Sequence, residues 1–188
     1  MKIGLAITGS FCTYEKILEQ IDLLIEKGHS VLPIVSSVVK NLDTRFGKAD
    51  EFIKKIEEKT GKKVVCDIVG AEPLGPSNAF EVLAIAPCTG NTLSKIATGI
   101  SDDAVTMAAK ANMRNYKPLV IAISTNDALG LNMKNIATLL NEKNVYFVPF
   151  KQDDPIKKPK SMIADLNLLL PTIEEALKGK QIQPIILG

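Results

Sequence analysis

Between Val82 and Asn115 the sequence passes from an unbroken apolar run, through a short hydroxyl-rich loop, into two helix-like segments. An apolar run without alternation suits a strand covered on both faces of a parallel sheet, and Val82 to Ala86 is such a run. Pro87, which has no N–H to give to a ladder, is expected to end it. Cys88-Thr89-Gly90-Asn91-Thr92 follows, with a helix expected to begin near Asn91 or Thr92. Small residues between a strand's carboxyl end and a helix start leave backbone N–H groups and the helix dipole facing outward, which suits an anion. Ligands of open α/β sheets sit at this same end. A second helix is expected from Ser101 or Asp102, with Ala104, Met107, Ala108 and Ala111 in a 3.6-residue rhythm. Its alanine-rich face fits tight packing on the sheet, whereas the loop before it fits phosphate or ring binding.

The same alternation recurs on either side. Lys2 to Ile7 reads as a strand ending at Thr8-Gly9-Ser10, followed by a helix from about Thr13 to a stop at Gly28. Val31 to Val35 reads as a second strand ending at Ser36-Ser37, and Ala49, Phe52, Ile53 and Ile56 mark a helix that stops at Gly61. Val64 to Val69 is expected to form a short third strand, with residues 72–76 an irregular loop. Pro118 to Ser124 gives another strand, ending in Thr125-Asn126-Asp127; Leu129, Met133, Ile136, Ala137 and Leu140 mark the next helix, and Val145 to Phe150 the last strand. Strands alternating with helices of this length predict parallel βαβ units: a three-layer αβα, Rossmann-like (flavodoxin-type) sheet in one domain over residues 1–188. Four polar strand ends then converge on one crevice: Thr8 to Ser10, Ser36-Ser37, Pro87 to Thr92, and Ser124 to Asp127.

The remainder is expected to depart from this plan. Residues 151–160 read as a polar connector. A helix over Ser161 to Leu170 should end at Pro171, and Thr172 with Glu175 forms a capping box for a final helix. The extended tail Gln181 to Leu187 packs either on its own domain or on a neighbour.

Composition removes several classes of function. A net charge of +2 lacks the basic excess that nucleic acid requires, and no apolar run reaches membrane-spanning length. Cys12, Cys66 and Cys88 are isolated and without CxxC spacing, as in a reduced cytoplasmic protein, and His29 is the single histidine; neither a disulfide framework nor a metal site is expected. No signal-peptide layout precedes the first strand. G-x-G-x-x-G is absent, so the chain is not expected to bind a dinucleotide itself.

The segment APCTGNTLSKIA at 86–97 resembles the P-x-S/T-x-N-T signature of the flavoproteins related to phosphopantothenoylcysteine decarboxylase. A longer pattern is similar to the B-subunit family of dipicolinate synthases: EPLGPSN at 72–78, residues 86–115, residues 123–161 and QIQP at 181–184. The resemblance implies FMN as cofactor, a homo-oligomer, and a small dicarboxylate substrate. It also implies a partner, the A subunit of dipicolinate synthase, through which alone NADP would act. Together the two would form dipicolinate from a hydroxy-tetrahydrodipicolinate of the lysine pathway during sporulation. By the same resemblance Gly9, Ser10 and Ser36 hold the FMN phosphate, and Pro87, Thr89, Gly90, Asn91, Thr92, Ser124 and Thr125 line the rest of the cofactor.

Asn126 and Asp127 then lie nearer the substrate, Asn126 being the candidate catalytic residue; Asx capping of the next helix accounts for Asn126 nearly as well. Lys95 and Arg114 are candidate carboxylate anchors, or else charges on helix surfaces. The chain departs from the decarboxylases in three ways. Residues 36–60 hold no histidine, Ser124-Thr125-Asn126 stands where a proline-alanine-methionine-asparagine motif is usual, and no cysteine follows residue 88. These losses argue against cysteine decarboxylation. They leave two leading readings, an electron-accepting flavin subunit or a non-catalytic assembly subunit with a flavin-like pocket, with flavin decarboxylation of some other peptide or thiol ranked behind both.

Overall fold

The computed structural model describes residues 1–188, all of the chain. Its strands are β1 Lys2–Ile7, β2 Ser30–Val35, β3 Val82–Cys88, β4 Leu119–Thr125, β5 Val145–Phe147, β6 Phe150–Asp154 and β7 Lys158–Ala164. The helices are α1 Tyr14–Glu26, α2 Ser37–Asn41, α3 Ala49–Thr60, α4 Ile68–Ala71, α5 Gly90–Ala97, α6 Ala104–Arg114, α7 Met133–Leu140 and α8 Leu169–Leu177. Strands β2, β1, β3, β4 and β5 lie side by side and parallel, and β7 and β6 continue from β4 antiparallel. The expected Rossmann-like layering is therefore present, with a mixed seven-stranded sheet in place of a purely parallel one.

β3 is buried at every position, as its uninterrupted apolar sequence requires in a central parallel strand. Helix α6 packs against β2, β3 and β4 and against α5, which in turn meets α7. Helix α8 covers β3, β4 and β5. The fine-grained face of α6 serves packing. A Cβ placed on Gly75 would lie 3.0 Å from the Ala111 Cβ, so the segment after α4 rests directly on the alanines.

Several expectations are corrected by backbone hydrogen-bond accounting. Pro87 does not end β3; the strand runs to Cys88, and the Pro87 carbonyl accepts from both the N–H and the hydroxyl of Thr8. Its missing N–H falls where the β3–β4 register shifts, between Ile85 and Cys88, so no ladder bond is lost. Residues 64–69 are not a strand. Val65 makes a single bridge to Ile34, donating to Pro33 and accepting from Val35. Pro33 has no N–H with which to extend that ladder. Asp67 instead caps the short α4, accepting from the Gly70 N–H at 2.8 Å.

The connector and the first part of the helix expected over 161–170 form a β-hairpin, β6–β7; the rest of that span is helical, a 3-10 turn at Leu166–Leu168 running into α8. β5 pairs with β4 only from Leu119 to Ile121, which leaves the upper end of β4 with unpaired groups that must be satisfied. β7 satisfies them by pairing Ile163 with Ser124 and Met162 with Thr125. Pro171 lies inside the first turn of α8, where an N–H has no helical acceptor. Thr172 forms no capping box; its hydroxyl donates back to the Leu168 carbonyl at 2.6 Å. Gly28 and Gly61 stop α1 and α3 at positive φ, as their positions predict. The cap of α6 is Asp103, boxed with Thr106, rather than Ser101 or Asp102.

The last helix before the hairpin starts at Met133, later than Leu129 suggests, and Asn126 does not cap it. The tail folds back on its own chain. Gln181 pairs with Phe147 through both backbone groups, and Ile186 bridges Phe150.

Candidate functional site

All four polar strand ends meet at one edge of the sheet and line a crevice with two compartments. The inner one, roughly 290 Å³, is bounded by Gly9, Ser36, Thr89, Asn91, Thr92, Lys95 and Asp103. The outer one, roughly 800 Å³ and more open, is bounded by Gly9, Ser10, Thr89, Gly90 and Ser124 to Asp127 on one side. Residues of the 42–48 loop and of β7 form its other side.

The inner compartment is built from helix beginnings. Thr89 caps α5, accepting from the Thr92 N–H, and its own hydroxyl donates to the Thr92 hydroxyl at 3.2 Å. Thr92 keeps a proton to offer. The N–H groups of Gly90 and Asn91 open α5 and have no helical acceptor; neither they nor the Gly9 N–H makes another hydrogen bond. Ser36 caps α2, a short helix that the sequence pattern does not reveal. Thr8, fully buried, clamps the two central strand ends: it donates to the Pro87 carbonyl at 2.8 Å and accepts from the Thr89 N–H at 2.9 Å. Pro87 therefore lies beneath the crevice floor, framing it without lining it.

Charge in this compartment is largely committed. Lys95 holds Asp102 through both carboxylate oxygens at 2.9 Å, and the ammonium keeps the Asp102 carboxyl below the usual carboxylate range. Asp103 spends its carboxylate on the Val105 and Ser37 N–H groups. The donors left over are backbone N–H groups and hydroxyls, a set suited to a phosphate oxygen.

In the outer compartment Ser10 and Ser124 share a hydrogen bond of 2.7 Å across the end of β3. Behind them is a closed polar network. The Thr125 hydroxyl donates to Asp127 Oδ1 at 2.6 Å, Asn132 donates to both Asp127 oxygens at 2.9 Å, and Asn135 donates to Asn132. The Thr125 hydroxyl, helped by Asn132, lowers the Asp127 pKa against the opposing effect of burial. This network presses on α5. A Cβ on Gly90 would come within 2.5 Å of the Asn132 amide nitrogen and 2.6 Å of the Thr125 hydroxyl. Gly90 is thus needed for packing as well as for its N–H. Asn126 is exposed, and its Oδ1 accepts from the buried Ser161 hydroxyl at 3.3 Å, leaving its amide protons to the crevice.

Of the residues expected at the site, the structure brings together Gly9, Ser10, Ser36, Thr89 to Thr92, Lys95 and Ser124 to Asp127. Arg114 is not among them. It ends α6, at the edge where the strands begin, beside Gly75. Ser161, Lys158, Lys16, Arg45 and Phe46 also border the outer compartment and are absent from the sequence-based set. Ser161 and Lys158 escape it because β7 reads locally as a connector and a helix. The available signal for Arg45-Phe46 is an arginine and an aromatic side by side in a loop that ends in glycine.

A family model described as Flavoprotein matches residues 1–176. The chain is 51% identical over 185 residues to the B subunit of dipicolinate synthase from Bacillus subtilis, covering 98% of this chain and 92% of that one. The crystal structure of the B subunit of dipicolinate synthase from Bacillus halodurans superposes with a TM-score of 0.91 at 47% identity, over 100% of this chain and 96% of that one. Burkholderia xenovorans DmrB, solved in complex with FMN, has the same fold with a TM-score of 0.69 at 18% identity, over 94% of this chain and 95% of that one.

Proposed function

Since the chain belongs to the flavoprotein family and shares half its sequence with the B subunit of a dipicolinate synthase, we propose that it is the FMN-binding subunit of a dipicolinate-forming enzyme. The observation that carries this reading is the inner compartment, where the unspent backbone N–H groups of Gly9 and Asn91 and the hydroxyls of Ser36 and Thr92 belong to residues that line one space. These groups, with Ser10, would hold the phosphate, and Thr89, Ser124 and Thr125 would line the remainder as it extends into the outer compartment. Bound FMN would supply a two-electron acceptor.

Forming dipicolinate from a hydroxy-tetrahydrodipicolinate requires loss of one water, then of one hydride and one proton. In this reading a separate partner chain carries NADP, and this chain binds and orients the ring. The exposed amide of Asn126 is the group placed to donate to a ring substituent. Asp127, locked by Thr125 and Asn132, orients the wall and does not move protons.

The rival reading, an assembly subunit without flavin, draws on one observation. Every carboxylate at the crevice is already hydrogen-bonded or ion-paired, so no free general base faces it. An absorption spectrum after incubation with FMN and removal of free cofactor decides between them. A stoichiometric flavin band is expected. No band, either alone or with the NADP-carrying partner present, would overturn the flavin reading.

A further inference from the structure

The outer compartment is asymmetric in charge. Three cations border it, Lys16 from α1, Arg45 from the 42–48 loop and Lys158 from β7, against the carboxylates of Asp127 and Asp153. Both carboxylates are spent: Asp127 on Thr125 and Asn132, and Asp153 on Lys158 at 2.7 Å. Lys16 and Arg45 take part in none of the ion pairs of the structure. The Arg45 guanidinium is held over the Phe46 ring, 4.9 Å from its centroid, so it is placed by stacking and keeps its N–H donors free. Phe11 and Phe46 supply apolar surface beside these two cations.

Two unpaired cations beside aromatic surface suit a planar ring that bears two carboxylates, each cation meeting one. We propose that Arg45 and Lys16 are the residues that recognise the dicarboxylate, Arg45 as a forked donor and Lys16 as a point charge. This assignment rests on the reading of the crevice as a dipicolinate-forming site. It replaces Lys95, which Asp102 occupies, and Arg114, which lies at the opposite edge of the sheet.

The test is calorimetric titration of pyridine-2,6-dicarboxylate, and separately of pyridine-2-carboxylate, into the FMN-treated full chain. Flavin retention is read on the same samples. The wild-type chain is expected to prefer the dicarboxylate by about tenfold or more, the value of one charge-assisted hydrogen bond. Arg45→Gln and Lys16→Gln should each abolish most of that preference, and Arg45→Lys should restore part of it. Arg114→Gln should leave it unchanged. Variants that keep the wild-type preference, or a wild-type chain that shows none, would overturn the proposal. A wild-type chain that retains no flavin but still discriminates upholds the two anchors while overturning the flavin reading. The two failures are therefore distinguishable.

Discussion

Gly90 separates two polar regions built from the same kinds of side chain with opposite outcomes. On one side, Thr125, Asp127, Asn132 and Asn135 satisfy one another so fully that they leave no room for a Cβ on Gly90. On the other, the N–H groups of Gly9 and Asn91 and the Ser36 and Thr92 hydroxyls line open space with capacity unspent. A satisfied buried network fixes one geometry, whereas unspent donors await an acceptor. The first region is therefore read as scaffold and the second as binding surface. Changes to the scaffold should be felt in stability, and changes to the binding surface in ligand affinity.

The largest effect on stability should come from Asp127→Ala. It strands the buried Asn132 amide and the half-buried Thr125 hydroxyl, and leaving both donors unpaired costs about 3 kcal/mol. For a chain of this length that lowers Tm by about 8 °C, readable by calorimetry. An unchanged Tm would show that water replaces the carboxylate and that the network is not a scaffold. Gly90→Ala should follow, at about 2 kcal/mol, because its Cβ must displace bonded atoms rather than the end of a flexible chain. Flavin retention should fall with it, since the same movement shifts the Gly90 and Asn91 N–H groups.

That contrast also shows what is legible in the sequence. The apolar run at β3, the strand-end hydroxyls and the glycine stops of α1 and α3 are local signals, and each coincides with the element it predicts. The hairpin β6–β7 is not local. Lys158 to Ala164 forms a strand because the end of β4 needs partners above β5, and nothing within 158–164 announces that need. Ser161 and Lys158 are hidden with that strand. Arg114 is misplaced for a related reason: in helix α6 a residue's rank decides which edge of the sheet it meets, and the last turn lies far from the crevice.

Ser10→Ala combined with Ser36→Ala sharpens the comparison from the binding side. Stability should fall by only about 1 kcal/mol, chiefly through the lost Ser36 cap of α2. In the wild-type chain, FMN at a hundredfold excess over its Kd should add about 2.7 kcal/mol to folding stability and raise Tm accordingly. The double variant should lose most of that rise while folding normally. A full rise in a folded double variant would remove these two serines from the phosphate site.

The smallest effect distinguishes two carboxylates that look alike by hydrogen bonding alone. Asp127 and Asp102 both titrate below the usual carboxylate range, Asp127 through the Thr125 hydroxyl inside the network and Asp102 through Lys95 at the surface. For either group a lowered folded pKa means stability that is fully present above the unfolded value of about 3.9. It is lost as pH falls through the lower folded value. The Tm difference between wild type and Asp127→Asn should therefore be constant above about pH 5 and should shrink below pH 4. High salt screens exposed pairs and spares hydrogen bonds made inside a wall. The Asp127→Asn difference should thus survive at about 1 M salt, while any difference for Asp102→Asn should vanish there. If salt erased the Asp127 difference as well, Asp127 would be acting as a surface charge, and the division of the crevice into scaffold and binding wall would fail at Gly90.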